Sequence, residues 1–165
     1  MNLKHKYPYP LEMFGLESKV RGLYITLACD FEKVMTEIIV MCEGDDPSKR
    51  DDLELKIPFE MGKKLQRCKR ELIKYNPAYY NHFIPEFEAV EELVKYRNML
   101  AHGFSQYDEN KLDKDFITFS WIEKGKKKID KIKVYPFIKK IEKYTKHIFL
   151  LYTLHAKISE ERGYK

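Results

Sequence analysis

The stretch EFEAVEELVKYRNMLAHGF, residues 86–104, decides the fold because it joins a helical apolar pattern to an unusual group of polar residues. At about 100° per residue, its apolar side chains gather on one side of an α-helix. These side chains belong to Phe87, Val90, Leu93, Val94, Leu100 and Ala101. Arg97 falls among them, and a guanidinium, which cannot lose its charge, is rarely buried without a partner. The pattern therefore predicts either a carboxylate beside Arg97 or a cleft or interface where its charge is used.

The end of this helix is predicted at His102. Gly103 follows as a residue that can leave the helix in a left-handed conformation. Arg97 and His102 are five residues apart, which is about 140° around an ideal helix. One straight helix therefore does not direct both side chains at a single atom. Either a distorted last turn or a second copy of the helix is needed to bring them together.

The residues RNMLAHG, 97–103, resemble the signature of the HEPN superfamily of small helical proteins. That signature is an arginine, usually followed by a polar residue, and then a histidine a few residues later. Arg97, Asn98 and His102 match it. The resemblance implies a metal-independent endoribonuclease, acting without a cofactor in phage defence or stress, whose active site forms across the two-fold axis of a homodimer. His102 would be the general acid or base, Arg97 the phosphate clamp and Asn98 a polar support.

The position after the motif departs from part of the superfamily. Some members place a tyrosine two residues after the motif histidine, where a partner nucleotidyltransferase can modify it, whereas this chain has Phe104. The resemblance therefore gives less support to a toxin–antitoxin arrangement. An antitoxin or another regulatory protein stays open as a partner.

The chemistry of RNA cleavage fits these residue types. A 2′-hydroxyl must lose its proton, the phosphorus must bear extra negative charge, and the leaving 5′-oxygen must gain a proton. A histidine can take or give one of these protons, and an arginine can hold two phosphate oxygens at once. Two copies at a dimer axis would supply two of each, which is enough to separate the acid from the base. The sequence contains no Gly-rich phosphate loop, HExxH motif or nucleophile elbow.

A second resemblance leads to a different class of function. VRGLYI, residues 20–25, and RNMLAH, residues 97–102, are similar to segments of the mannitol operon repressor family, helical proteins associated with transcriptional regulation. This resemblance implies a non-catalytic regulatory module that binds RNA or protein. Arg97 and His102 would then be structural and would tie their helix to the first helix. A bare scaffold for a protein partner is a third reading.

A structural ion pair is the plainest alternative to catalysis. Asp30 and Glu37 lie beside the apolar stripe of the first predicted helix, at positions that could reach a basic residue on a neighbouring helix. Either carboxylate could pair with Arg97, since ion pairs at helix contacts are common.

The remaining patterns predict an all-α fold, an up-and-down bundle of about four main helices with a β-hairpin inserted before the last helix. Residues 1–165 are read as a single helical domain that begins with an extended arm over 1–10. The hairpin is expected at about 115–135, and the segments 44–56 and 78–84 are expected to be connections. The four helices are predicted over residues 16–42, 59–75, 85–102 and 135–160.

Composition indicates a globular protein. Hydrophobic residues make up 44% of the 165 residues, no apolar run reaches the length of a membrane span, and the first ten residues lack a secretory signal. We therefore expect a cytoplasmic protein without a membrane partner. Cys29, Cys42 and Cys68 lack CxxC spacing and are expected to be reduced residues in or near the core. The acidic pairs Asp45-Asp46 and Asp51-Asp52 are expected to be solvated rather than to bind a metal.

A concentration of positive charge falls late in the chain. Residues 123–147 contain ten lysines and three acidic residues, a net +7, although the whole chain carries only +5. Such a segment, with aromatic residues nearby, suits the backbone of RNA, and the alternative is a solvated hairpin tip. The lysines predicted to bind RNA are Lys124, Lys126, Lys127, Lys128, Lys131 and Lys133.

Overall fold

The computed structural model describes residues 11–44, 50–106 and 116–164. The predicted arm over 1–10 and the Asp45-Asp46 pair lie outside these ranges. The described elements, in chain order, are α1 Leu11–Glu43, α2 Arg50–Leu55, α3 Met61–Tyr75, α4 Pro77–His82, α5 Ile84–His102, β1 Phe104–Gln106, β2 Phe116–Glu123, β3 Lys126–Lys133 and α6 Val134–Glu161.

The chain is mostly helical, as predicted, and its four long helices are the four that the sequence pattern indicates. Two short helices were missed, because α2 and α4 occupy the segments predicted to be connections. Asn76 both ends α3 and caps α4, where its side chain accepts a hydrogen bond from the Ala78 amide at 3.0 Å. Pro77 follows at the first helical position, which suits proline. The same two residues therefore end one helix and begin the next.

The end of α5 differs from the predicted conformation. The helix does end at His102, but Gly103 does not have a positive φ, and the chain passes directly into β1 at Phe104. The Gly103 amide donates to the Met99 carbonyl at 2.7 Å. A Cβ at Gly103 would overlap that same carbonyl oxygen. Close approach of backbone, rather than a left-handed turn, is what requires glycine here.

The predicted hairpin is confirmed and is part of a three-stranded antiparallel sheet in the order β1-β2-β3. β2 and β3 are joined by Lys124 and Gly125, whose φ angles are +50° and +75°. Two positive φ values are typical of a type I′ turn, which matches the twist of a two-residue hairpin. β1 was not predicted, because three residues are too few to show an alternating pattern.

The described chain divides into two compact units. Unit 1 contains Met1–Thr26 and Lys95–Glu142, and unit 2 contains Leu27–Val94 and Lys143–Lys165. The prediction of one domain stays a prediction, since α1, α5 and α6 each contribute residues to both units. Within the described ranges, no helix combines the length and hydropathy required to cross a membrane.

The core of unit 1 includes a tyrosine that the pattern overlooked. Leu23 of α1 is 36% exposed, whereas the next residue, Tyr24, is 0% exposed. The Tyr24 ring stacks on Phe137 of α6 at 4.3 Å between centroids, and its hydroxyl donates to the Phe137 carbonyl at 2.9 Å. A tyrosine can be fully buried when its hydroxyl has such a partner.

The core of unit 2 contains two of the three cysteines. Cys68 is buried and Cys42 is partly buried, but Cys29 is exposed, so the prediction for Cys29 was wrong. Burial raises the pKa of the Cys42 thiol to about 12, and the charge of Arg162 only partly opposes this effect. Burial also raises the pKa of Cys68. Both thiols therefore stay protonated near neutral pH.

We expect Gly103→Ala to lower the free energy of unfolding by about 1–3 kcal/mol, because the new methyl group must displace the Met99 carbonyl. Gly22→Ala in α1 is the matched control. No atom lies within 4 Å of a Cβ at Gly22, so that change should instead stabilise the helix by about 0.5–1 kcal/mol. Urea unfolding of both variants measures the difference. Equal effects of the same sign would contradict the role assigned to Gly103.

Candidate functional site

The three motif residues lie on the last turns of α5, outside the core. Asn98 and His102 are exposed and Arg97 is partly exposed, whereas Met99 and Leu100 between them are buried. Arg97 Nη1 donates to Asn98 Oδ1 at 3.2 Å. In the ranges that the structure covers, no hydrogen bond or ion pair joins Arg97 to His102. One chain thus presents a fixed positive charge and an imidazole to solvent without bringing them together.

The end of α5 is held by an arginine from α1. The guanidinium of Arg21 donates from Nη1 to the Leu100 carbonyl and from Nη2 to the Gly103 carbonyl, the latter at 2.8 Å. The last carbonyls of a helix have no partner within the helix, and the negative end of its dipole attracts a cation. Arg21 supplies both donors and charge at this point. The tie between the first helix and the motif helix is therefore made by Arg21.

Two further contacts fix the orientation of Arg21. Its Nε donates to Glu17 Oε1 at 2.6 Å, one turn earlier on α1. Its guanidinium carbon lies 4.9 Å from the centroid of the Phe119 ring on β2. Glu17 is buried, and a buried carboxylate requires hydrogen-bond partners such as this one. Arg21 is thereby placed against a helix end, a carboxylate and an aromatic ring within unit 1.

An aromatic cluster supports the residue before Arg97. The Tyr96 ring meets Phe137 edge-on at 4.9 Å and Tyr24 edge-on at 6.1 Å. Lys140 of α6 donates to the Tyr96 hydroxyl at 3.0 Å and lies 4.8 Å from the centre of its ring. These contacts fix the rotation of α5 just ahead of the motif. Tyr96 is not part of the apolar arc predicted for this helix, and the structure shows it only partly buried.

The carboxylate predicted to pair with Arg97 has a different partner. Glu37 forms an ion pair with Arg50 of α2. Asp30 is exposed on α1. The structural ion pair proposed from the sequence is replaced by two separate arrangements, Glu37 with Arg50 and Arg97 with Asn98. Sequence spacing could not reveal this, because α2 was not predicted.

The six predicted RNA-binding lysines are all exposed, but they do not form one surface. Side chains alternate between the two faces of a strand. Lys127, Lys131 and Lys133 therefore share one face of β3, while Lys126 and Lys128 lie on the other. Lys124 lies in the turn.

Two histidines of unit 2 have acidic neighbours. His147 Nδ1 lies 3.3 Å from Oε1 of the buried Glu86, and His147 itself is partly buried. His155 is also partly buried, but its Nε2 is 3.9 Å from Glu37 Oε2, beyond hydrogen-bond distance. Burial lowers the pKa of His155 below its ordinary 6.5, and Arg50 adds to this effect against the opposing charge of Glu37. The native state therefore favours neutral His155.

A metal site requires several His, Cys, Asp or Glu side chains close together. Among the side chains that the structure describes, no group of three or more such residues is placed to hold a metal ion. The pair Asp51-Asp52 lies exposed in the first turn of α2, where carboxylates interact favourably with the helix dipole.

We expect Arg21→Ala to lower the free energy of unfolding by about 1.5–3 kcal/mol, since charged hydrogen bonds to two carbonyls and a buried carboxylate are lost together. Hydrogen exchange should accelerate most in the amides of the last turn of α5. Lys19→Ala, an exposed lysine on the same helix, is the control and should change stability by no more than about 0.5 kcal/mol. Unchanged exchange at Gly103 in Arg21→Ala would contradict the tie.

We expect His155 to reduce stability as the pH falls. Its pKa is lower in the native state than in the unfolded chain, so between these values the unfolded state binds more protons and stability declines with falling pH. The decline begins near pH 6.5, is complete below the native pKa, and has a slope of at most about 1.4 kcal/mol per pH unit. In His155→Gln, the free energy of unfolding, measured from pH 7.5 to 5, should depend less on pH than in the parent protein. His82→Gln, at an exposed histidine, is the control. An equal loss of pH dependence in both variants would contradict the assignment.

The comparisons with known proteins identified no relative. No protein-family model, curated protein or solved structure matches the chain. The resemblances to the HEPN superfamily and to the mannitol operon repressor family therefore stay predictions based on the residues quoted for them.

Proposed function

We propose that the protein is a metal-independent endoribonuclease of HEPN type, with Arg97, Asn98 and His102 as its active-site residues. The observation that carries the proposal is the placement of these residues. All three are at least partly exposed on the final turns of α5, and Arg21 holds the end of that helix through the Leu100 and Gly103 carbonyls. Exposed polar side chains on a fixed backbone are what binding an external substrate requires.

The roles follow from the chemistry of each group. Arg97 holds two non-bridging oxygens of the phosphate and offsets the charge that builds on phosphorus. His102 takes the proton of the 2′-hydroxyl or gives one to the leaving 5′-oxygen. Asn98 already accepts a hydrogen bond from Arg97 and so supports the guanidinium in the free protein. The 2′-oxygen forms a bond to phosphorus as the bond from phosphorus to the 5′-oxygen breaks. The proton lost by the 2′-hydroxyl is balanced by the proton gained by the 5′-oxygen, so nothing is oxidised or reduced.

The proposal includes a homodimer. In an in-line displacement the attacking 2′-oxygen and the leaving 5′-oxygen lie on opposite sides of phosphorus, so one imidazole cannot serve both as base and as acid. Arg97 and His102 also point about 140° apart on one helix. A two-fold axis through this end of α5 would bring two histidines and two arginines into one site. The up-and-down bundle of four main helices, the cytoplasmic location and a regulatory antitoxin partner belong to the same proposal.

The exposed lysines of the hairpin support RNA as the substrate. Six lysines in the segment 124–133 add a sequence-independent attraction for phosphates in the same unit as the motif. Action in phage defence or in a stress response follows from the resemblance alone.

The test is cleavage of single-stranded RNA in the presence of EDTA. We expect His102→Ala and Arg97→Ala each to reduce the rate at least about 100-fold, the usual range for a lost general acid or base or a lost phosphate contact. His82→Ala and Arg70→Ala replace exposed residues of the same types outside the motif and should retain full activity. Equal rates in all five proteins would contradict the catalytic assignment.

A non-catalytic regulatory module is the second candidate, and one observation favours it. The two segments quoted for the mannitol operon repressor resemblance, 20–25 and 97–102, are joined through Arg21 and the Leu100 carbonyl. That link is structural and needs no reaction. Under this reading the chain binds RNA or protein, and RNA remains intact with every variant. Because Arg21 makes the link between the two segments, Arg97→Ala should change partner binding and leave stability unchanged.

A further inference from the structure

The outer face of the small sheet combines exposed apolar side chains with lysines. Cross-strand pairing places Phe104 of β1 beside Ser120 of β2, so Phe104 shares a face with Phe116 and Ile122. Pairing of β2 with β3 adds Lys127, Ile129, Lys131 and Lys133 to that face. We call the set Phe104, Phe116, Ile122, Ile129, Lys127, Lys131 and Lys133 the outer face.

Burial separates this surface from the opposite side of the sheet. Ile117, Phe119 and Ile132 alternate with the outer-face residues and are 4%, 0% and 8% exposed. In contrast, Phe104 is 78% exposed and Ile122 is 67% exposed. The sheet therefore already buries one apolar face, and the apolar residues of the outer face are additional to what folding requires.

Two lysines of the outer face lie over the ring of Phe116. Lys131 Nζ is 4.2 Å from the centroid of Phe116, and Lys133 Nζ is 5.9 Å from it. The two lysines are two residues apart on β3, about 7 Å along the strand. None of the positions that the described strands contribute to this face is acidic. The face thus combines flat apolar surface with lysine side chains.

Single-stranded RNA matches both features. Unpaired bases expose flat rings that stack on aromatic side chains, and the phosphates between them attract lysines. A duplex hides its bases and would use the charge alone. A hydrophobic protein partner would use the apolar residues but would have to desolvate three ammonium groups, which is unfavourable without carboxylates of its own.

We propose that the outer face is a stacking platform for single-stranded RNA, with Phe104 and Phe116 contacting bases and Lys127, Lys131 and Lys133 contacting phosphates. The platform deepens the endoribonuclease proposed above and rests on it for the purpose of binding. Phe104 is two residues beyond His102, a separation of at most about 7 Å along the backbone. RNA held at Phe104 therefore has its neighbouring phosphates within reach of the His102 ring.

Binding is tested with the full chain carrying His102→Ala, so that no cleavage occurs, and a fluorescein-labelled oligouridine in an anisotropy titration. We expect added Phe104→Ala to weaken binding about tenfold or more, the effect of losing one stacked base. Phe104→Trp should retain binding. Phe149→Ala is the matched control, since Phe149 is 72% exposed on α6 in the other unit, and it should leave affinity unchanged.

Charge is tested by salt dependence. Replacing Lys127, Lys131 and Lys133 together with alanine should lower the slope of log K against log salt by about 2, the value for three phosphate contacts on a single strand. The control replaces the exposed lysines Lys33, Lys143 and Lys146 with alanine. It lowers the net charge by the same amount and should retain most of the slope of log K against log salt.

Three results would overturn the platform. The first is that Phe104→Ala binds the oligouridine as tightly as the parent protein does, and the second is that it loses as much affinity for duplex RNA as for the single strand. The third is that the change converts a dimer into a monomer, which would make the face a contact between copies of the chain. Failure of the nuclease proposal is visible separately, because cleavage is measured on chains that retain His102. Binding that depends on Phe104 without any cleavage would support the platform and reject the nuclease.

Discussion

The arrangement of unit 1 depends on the hydrogen bonds from the Arg21 guanidinium to the end of α5. A helix end exposes carbonyls that must find donors, and here the chain turns into a strand without any loop in which water could satisfy them. Arg21 donates to Leu100 and Gly103 and lies against Phe119. Helix α1, the end of α5 and strand β2 are therefore positioned by a single side chain, and the motif residues are presented from a backbone that this side chain holds.

Cations of both units contact carboxylates or aromatic rings. In unit 2, arginines and lysines pair with carboxylates, as Arg67 does with Glu43 at 2.6 Å, and hydrogen bonds from Lys74 and Arg70 lower the pKa of Glu71 against the raising effect of burial. In unit 1, several lysines lie over aromatic rings, as Lys131 does over Phe116 and Lys140 over Tyr96. Both kinds of contact fix the position of a cation against the fold, and neither removes its charge.

The sequence predicted the elements better than their contacts. The long helices and the hairpin follow from periodicity and from the Gly125 turn, because these signals are local. The signals that were missed are nonlocal or short: β1 has three residues, and Arg21 is 79 residues away in sequence from the Leu100 carbonyl that it binds. Nothing in the sequence around a polar residue on a helix surface indicates a hydrogen-bond partner so far away in the chain. Arg97 was singled out because an arginine is unusual within an apolar arc, and Asn98 and His102 were singled out through the resemblance. Even so, Arg97 has an amide neighbour where a carboxylate was expected.

The passage from His102 to Phe104 links the two proposed surfaces. Gly103 lacks the Cβ that would collide with the Met99 carbonyl, so the helix can end at one residue and the strand begin at the next but one. A longer connection would let the imidazole and the Phe104 ring move independently, at a cost in precision for any substrate that contacts both. Residue His102 belongs to α5 and residue Phe104 to β1, so the backbone at both positions is held by regular hydrogen bonds. The fold therefore fixes the separation of these two backbone positions. A nucleotide stacked on that face would meet His102 with little further ordering, which is the condition under which one imidazole contributes most to a proton transfer.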